Sequence, residues 1–159
     1  MRFEKAVIED TGQLSELRLA YLIEDNGKLE EKDLDIIKHS LPDYFVRNLN
    51  NTIYGYVARE EKEIVACALL LVTERPMSPR FITGKTGTVL NVYTKPEYRH
   101  KGYARKLMKM LLADALDMNV DMVELKATDA GYPLYKSLGF KDAKSRYHQM
   151  KWYGGGLLT

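Results

Sequence analysis

Residues 87–104 read GTVLNVYTKPEYRHKGYA, which is the most informative segment of the chain. The segment Gly87–Thr94 is rich in β-branched and aromatic side chains, which predicts a strand. A polar connector, Lys95–Lys101, follows it. Gly102 and Ala104 then stand where the backbone enters a helix. The stretch therefore predicts a strand that leads through a short polar loop into a helix.

The helix after this loop has the clearest amphipathic pattern in the chain. Its apolar residues recur at spacings of three and four, which places them on one helix face; they are Ala104, Leu107, Met108, Leu111, Leu112, Ala115 and Leu116. Asp121–Ala127 alternates and predicts a fifth strand. Strands joined by such a crossover helix are parallel neighbours in one sheet. A short helix over Thr128–Leu138 and closing strands from Phe140, above all Tyr147–Tyr153, are predicted after it.

The N-terminal third predicts one strand and two helices. Arg2–Val7 is the strand. The first helix begins at Asp10, which matches a capping pair with Gln13. The second covers Glu31–Asn48, and we expect Pro42 to break or kink it. These helices have the pattern of elements that cover a sheet.

The segments Ile53–Arg59 and Ile64–Thr73 predict an antiparallel hairpin, because a short polar insert separates them. The second strand is apolar on both sides, which is typical of a central strand covered on both faces. Cys67 lies in its middle, and we expect a buried, unreactive thiol. The element order predicts a mixed α/β fold.

Composition limits the class of protein. Of 159 residues, 45% are hydrophobic and 29% are charged, which excludes a wholly disordered chain and fits one domain over residues 1–159. The net charge of +2 is too weak for a protein built to coat nucleic acid. The longest apolar run, Ile64–Val72, is far shorter than the ~20 residues that span a bilayer. We therefore expect no nucleic-acid or membrane partner and a cytoplasmic location. The three histidines and one cysteine show no metal-ligand spacing, so we expect no metal.

Positive charge is concentrated at the start of the long helix. Residues 95–110 hold six Lys or Arg and one Glu, which gives +5 for this segment. The first turn of a helix has unpaired N–H groups and the positive end of the helix dipole. Small residues such as Gly102 and Ala104 let a phosphate approach this backbone closely. Taken alone, the turn is better explained as a tight connection with a solvated basic surface.

Two motifs together resemble the GNAT family of N-acetyltransferases. The first is RHKGYA at Arg99–Ala104, which is similar to the family's acetyl-CoA motif Gln/Arg-x-x-Gly-x-Gly/Ala. The second is PLYKSLGF at Pro133–Phe140, which is similar to the closing LYxxLGF segment. The resemblance covers about residues 87–141. It implies a mixed, mostly antiparallel central sheet, with a parallel pair of fourth and fifth strands and helices on both faces.

The resemblance implies transfer of an acetyl group from acetyl-CoA to a primary amine of a small-molecule or peptide acceptor. The pantetheine arm would bind main chain of Val92, Tyr93 and Thr94, between the fourth and fifth strands. Tyr135 would lie near the thioester sulfur and act as general acid. The pyrophosphate would bind at the loop-to-helix turn, for which the motif implies Arg99, His100, Lys101, Gly102, Tyr103, Ala104 and Arg105.

The chain departs from the family pattern at several positions. Thr128 stands where many members have an Asn that contacts the pantetheine arm, and Gly131 stands where an Ala is common. Some members carry a carboxylate base on the fourth strand. Its position here is Thr88, which does not titrate, and neither does the amide of Asn91. Glu74 is a further candidate for the base, which stays unassigned.

Other functions stay open at this point. A coenzyme A-binding sensor without turnover is compatible with the missing carboxylate, and a nucleic-acid module is compatible with the basic helix. The stretch Glu24–Asp35 holds six acidic residues and is either a solvated surface or an attractor for a cationic acceptor. The closing segment Tyr147–Tyr153 is an unpaired edge that predicts a possible homodimer.

Overall fold

The computed structural model describes residues 1–156 and forms two compact units, Met1–Lys126 and Ala127–Thr159. The first unit holds three α-helices and five strands, and the residues of the second unit up to 156 hold one α-helix. None of the helices in residues 1–156 is long and apolar enough to cross a membrane. One domain over residues 1–159 stays a prediction, and residues 157–159 lie outside the described residues. The element bounds are β1 Arg2–Lys5, α1 Thr11–Asn26, α2 Glu31–Asn48, β2 Ile53–Glu60, β3 Glu63–Glu74, β4 Lys85–Thr94, α3 Tyr103–Asp117, β5 Met122–Glu124 and α4 Tyr132–Ser137.

The five strands form one open sheet in the order β1-β2-β3-β4-β5. The first three pairings are antiparallel, and β4 pairs with β5 in parallel. α3 connects the two parallel strands, as the periodicity of the sequence predicts. The predicted fold class, a mostly antiparallel sheet with one parallel pair, is confirmed.

Helices pack on both faces of the sheet. Leu14 of α1 and Phe45 of α2 belong to one buried cluster with Val57 of β2. The neighbouring residue Tyr56 points to the opposite face, where its hydroxyl donates a 2.5 Å hydrogen bond to Asp114 of α3. Successive side chains of a strand point to opposite faces, so α1 and α2 cover one face and α3 covers the other. β3 is buried on both sides, as its apolar run predicts.

Two details of the helices differ from the predictions. Asp10 and Gln13 do not form a capping pair: the Asp10 carboxylate accepts a bond from the Val7 N–H, and the Gln13 side chain bonds the main chain of Lys62 and Ile64. Arg59 of β2 also bonds the Asp10 carboxylate, so contacts with β2 and β3 engage both side chains away from the helix end. Pro42 does not break α2, which continues to Asn48. Burial of Phe45, one turn later, stabilises the helix beyond the proline.

The predicted closing strands are wrong for the described residues. Between Phe140 and Tyr153 the chain forms no strand. Alternation alone does not make a strand, which needs hydrogen bonds to a neighbouring strand, and the described residues of this segment form none. Tyr147, Met150 and Trp152 are accordingly 69%, 87% and 89% exposed.

A buried ion pair holds the residue before α1. Arg59 of β2 donates bonds of 2.6 Å to Glu4 and 2.8 Å to Asp10, and the Arg59 and Asp10 side chains are 10% and 5% exposed. Removing one partner of such a pair leaves the other charge buried and uncompensated.

We expect Arg59→Met to lower the free energy of unfolding by about 3 kcal/mol, because it leaves the Asp10 carboxylate buried without a cation. Urea denaturation checks this. Arg47→Met is the control, since Arg47 pairs with Asp43 on an exposed surface of α2 and that pair contributes less than about 1 kcal/mol. Equal stability loss in the two variants contradicts the prediction.

Candidate active site

The turn from β4 into α3 presents backbone N–H groups on an open surface. His100 and Gly102 both have left-handed backbone conformations, with φ of 62° and 78°. Gly102 is the N-cap residue of α3, so no side-chain cap bonds the first helical N–H groups. A Cβ placed on Gly102 meets no atom within 4 Å. The glycine is therefore required by its φ, and the space beside it is free for a ligand in the described chain.

The predicted basic residues of this turn divide into two roles. Arg99 is engaged by the protein: its guanidinium donates a 2.6 Å bond to Glu24 of α1 and a 2.9 Å bond to the Thr94 carbonyl. It also lies 5.6 Å from the centroid of the Tyr93 ring. Lys101 is exposed and lies over the Tyr98 ring. Arg99 thus fixes the turn to α1, and Lys101 presents its charge at the surface.

A bulge interrupts β4 just before the predicted pantetheine contacts. Cys67 of β3 faces Tyr93, but Leu69 faces Leu90, so β4 has one more residue than β3 between these pairs. Asn91 lies in the bulge with a φ of 53°. An extra residue bends a strand and turns its backbone groups away from the ladder. The only sign of this bulge in the sequence is the Asn itself, a residue that tolerates left-handed φ.

Beyond this bulge, one edge of β4 is open. β5 pairs only with residues 86–88 of β4, so the strands separate after Thr88 in the described chain. The Lys95 N–H bonds the Val65 carbonyl of β3. Main-chain groups alternate between the two edges of a strand, so those of Tyr93 also face β3, and those of Val92 and Thr94 face the open edge. The side chain of Tyr93 lines a cavity of about 310 Å³ beside Leu17 of α1.

A small polar cluster lies beneath the bulge. The Asn91 side chain is buried, and its amide nitrogen is 3.4 Å from the Cys67 sulfur. The Asn91 oxygen is 3.5 Å from Nη1 of Arg18 on α1. Cys67 is buried, as predicted, and this burial raises the pKa of its thiol to about 12. The sequence analysis missed Arg18, because it is 73 residues from Asn91 along the chain.

Tyr135 lies in α4, in the second unit. Its ring contacts Phe140 edge to face, with centroids 6.0 Å apart. A Cβ placed on Gly131 comes within 2.9 Å of the Tyr135 ring, so this ring occupies the space of the alanine that is common in the resembled family. The Thr128 hydroxyl accepts a bond from the Gly131 N–H. Both departures from the family pattern therefore shape the turn that precedes Tyr135.

No group of three or more His, Cys, Asp or Glu side chains that could hold a metal ion occurs in residues 1–156. Glu74, the candidate base, faces Lys85 at the far end of β4. That position is seven residues before Val92, or about 23 Å along an extended strand at ~3.3 Å per residue. The register therefore places Glu74 far from the open edge.

Comparison with known proteins agrees with this geometry. The model of the acetyltransferase (GNAT) family matches residues 14–140. The crystal structure of a predicted acetyltransferase with acetyl-CoA from Clostridium acetobutylicum is 30% identical, with a TM-score of 0.81 over 94% of this chain and 95% of that one. A GCN5-related N-acetyltransferase from Ralstonia eutropha JMP134 shares the fold at 23% identity, with a TM-score of 0.77 over 94% and 97% of the two chains. None of the curated proteins matches the chain.

Proposed function

The chain belongs to the GNAT family of acetyltransferases and is an acyltransferase, and on that premise we propose that it transfers an acetyl group from acetyl-CoA to a primary amine of a small-molecule or peptide acceptor. The observation that carries this proposal is the open β4 edge next to the basic, glycine-capped start of α3. A release assay for free coenzyme A, run with amino acids, peptides, polyamines and aminoglycosides, tests it. Absence of release with every acceptor favours a coenzyme A-binding sensor.

In this proposal, the turn into α3 binds the pyrophosphate. The N–H groups of residues 100–105, from His100 through Gly102 and Tyr103 to Ala104 and Arg105, satisfy phosphate oxygens at the positive end of the helix dipole. Lys101 adds charge. Arg99 is engaged with Glu24, and its proposed role is to hold the turn in shape.

The pantetheine arm extends along the open edge of β4, where it replaces the missing length of β5. Its amide groups pair with the main chain of Val92 and Thr94, which face that edge. Tyr93 lies between these two residues, but its main chain faces β3 and does not bond the arm. This assignment narrows the three residues implied by the motif to two hydrogen-bonding positions.

The chemistry requires three proton transfers: two from the acceptor nitrogen, one before and one after its attack, and one to the departing thiolate. An alkyl ammonium has a pKa of ~10.4, so the acceptor must lose a proton before its nitrogen attacks the thioester carbon. Attack forms the C–N bond and an oxyanion, which main-chain N–H groups at the bulge stabilise. Breakage of the C–S bond then releases a thiolate, and Tyr135 is the proposed donor of its proton. The role of Tyr135 depends on the LYxxLGF resemblance.

The register of the sheet offers a group to receive the first proton. Glu124 of β5 lies directly opposite Thr88, the position at which some family members carry their base. Leu71 also faces Thr88 and packs in the α1 and α2 cluster, so Glu124 lies on the same face of the sheet as α1. We propose that its carboxylate accepts the acceptor's proton through water.

We expect Glu124→Gln to lower kcat/KM at pH 7 about 10-fold, less than the ~10²–10⁴-fold of a group in direct contact, because water relays the proton. The loss should vanish above the pKa of the acceptor amine, where the amine is already neutral. A pH profile of kcat/KM measures both. Glu74→Gln is the control, since its distance from Val92 predicts no change. A loss that persists at high pH contradicts the proposal.

The prediction of a homodimer also stays a proposal. Its support is the exposure of apolar side chains in the closing segment, among them Met150 and Trp152. Large exposed apolar side chains that cluster along one segment are typical of association surfaces.

A further inference from the structure

Arg18 is a half-buried cation that forms no ion pair with a carboxylate of the described residues. Its guanidinium lies 3.5 Å from the Asn91 amide oxygen, at the outer limit of a hydrogen bond, and 5.7 Å from the centroid of the Tyr21 ring. Other arginines of the same unit have carboxylate partners: Arg47 pairs with Asp43, and Arg59 pairs with Asp10. A guanidinium has five N–H donors, and one weak bond leaves most of them for a ligand.

The position of Arg18 relates it to the proposed reaction. Its contact, Asn91, precedes Val92, whose main chain faces the open edge where the thioester is proposed to lie. Arg18 belongs to α1, on the same face of the sheet as Glu124. An acceptor that reaches the thioester from this face therefore passes Arg18.

We propose that Arg18 binds a carboxylate of the acceptor, so that the substrate is an amine with a carboxylate close to its nitrogen, such as an amino acid. This inference rests on the proposed acetyl transfer. The planar fork of a guanidinium matches the two oxygens of a carboxylate. Burial of part of the arginine weakens the competition from water, which makes such a pair stronger than one on an open surface. Asn91, which lies in the bulge, orients the guanidinium through its amide oxygen.

The acidic stretch from Glu24 to Asp35 favours the opposite class, a polyamine. Glu24 is already paired with Arg99. Glu30 lies beside Lys32, and both side chains are highly exposed. This surface therefore has the character of a solvated helix connection, whereas Arg18 lies next to the bulge. The acidic stretch would attract a cationic acceptor, whereas Arg18 would repel it near the reacting carbon.

The test compares α-amino acids with their carboxamides, which keep the amine and side chain but lose the negative charge. Rates of coenzyme A release are expressed per unprotonated amine, since the carboxamide lowers the amine pKa. We expect the wild type to prefer the acids by about 10- to 100-fold in kcat/KM, the range for a hydrogen-bonded charge. Spermidine should be a poor acceptor.

Arg18→Gln should remove this preference by raising KM for the acids, with little change for the carboxamides. Arg18→Lys should keep part of it. Arg47→Gln, on the exposed surface of α2, is the control and should keep all of it. Calorimetry with acetyl-CoA and a melting temperature show whether Arg18→Gln remains folded and binds the co-substrate.

Wild-type turnover of carboxamides or spermidine as fast as of the acids overturns the inference while acetyl transfer stands. An Arg18→Gln variant that keeps the preference does the same. If the protein does not bind acetyl-CoA, or if none of the amines gives release of coenzyme A, the proposed function and this inference are overturned together.

Discussion

Replacement of Tyr135 by Phe should lower kcat by ~10²–10⁴-fold, the usual contribution of a general acid. The dissociation constant for acetyl-CoA and the melting temperature should barely change. The packing contacts of Tyr135 with Gly131 and Phe140 are made by its ring, which Phe retains. Loss of the hydroxyl removes the proton that the thiolate would take, while these ring contacts stay.

The pH dependence separates a lost acid from other causes. A phenol must be protonated to act, so wild-type kcat should fall at high pH as Tyr135 ionises, and the Phe variant should lack this limb. Tyr132→Phe is the matched control. Tyr132 lies in the same helix as Tyr135, and its hydroxyl donates a 2.9 Å hydrogen bond to the Asp142 carboxylate. The Phe variant loses this bond, and we expect no change in catalysis. Near-full turnover in Tyr135→Phe would show that water protonates the thiolate and that Tyr135 only packs.

The parts of the fold that the sequence predicted correctly are those set by local periodicity. The apolar stripe of α3 and the alternation around Val123 identify two elements, and the short connection makes β4 and β5 parallel neighbours. The hairpin of β2 and β3 follows from the polar insert between two apolar strands. Each inference used residues close together in the chain, where the pattern and the packing agree.

The missed features arise from contacts between distant residues. Arg99 matches a cofactor motif, but Glu24, which is 75 residues away, engages its guanidinium. The bulge at Asn91 depends on the register with β3, and Gln13 bonds a turn 49 residues away. The alternation of Tyr147–Tyr153 predicted a strand, but these residues form none. Such contacts leave no periodic signal in one sequence, so the motif predicts where the site lies, while the contacts of its residues required the structure.

Gly102→Glu should weaken acetyl-CoA binding at least ~100-fold, because a carboxylate beside the pyrophosphate site adds like-charge repulsion worth several kcal/mol. The new side chain also extends into the free space that the glycine leaves at the start of α3. Calorimetry with acetyl-CoA measures the change. Turnover with acetyl-pantetheine, which lacks the phosphates, should not fall beyond the small loss caused by backbone strain.

The strain itself requires a control, because Gly102 has a φ of 78° that a side chain disfavours. Gly27→Glu provides it: Gly27 follows α1 with a φ of 72°, is exposed, and also has no atom within 4 Å of an added Cβ. Both variants should lose similar stability, about 1–2 kcal/mol for a left-handed residue with a side chain. Only Gly102→Glu should lose acetyl-CoA. Equal affinity in the two folded variants would place the phosphates elsewhere, because the same strain and the same added charge would then have the same effect at both sites.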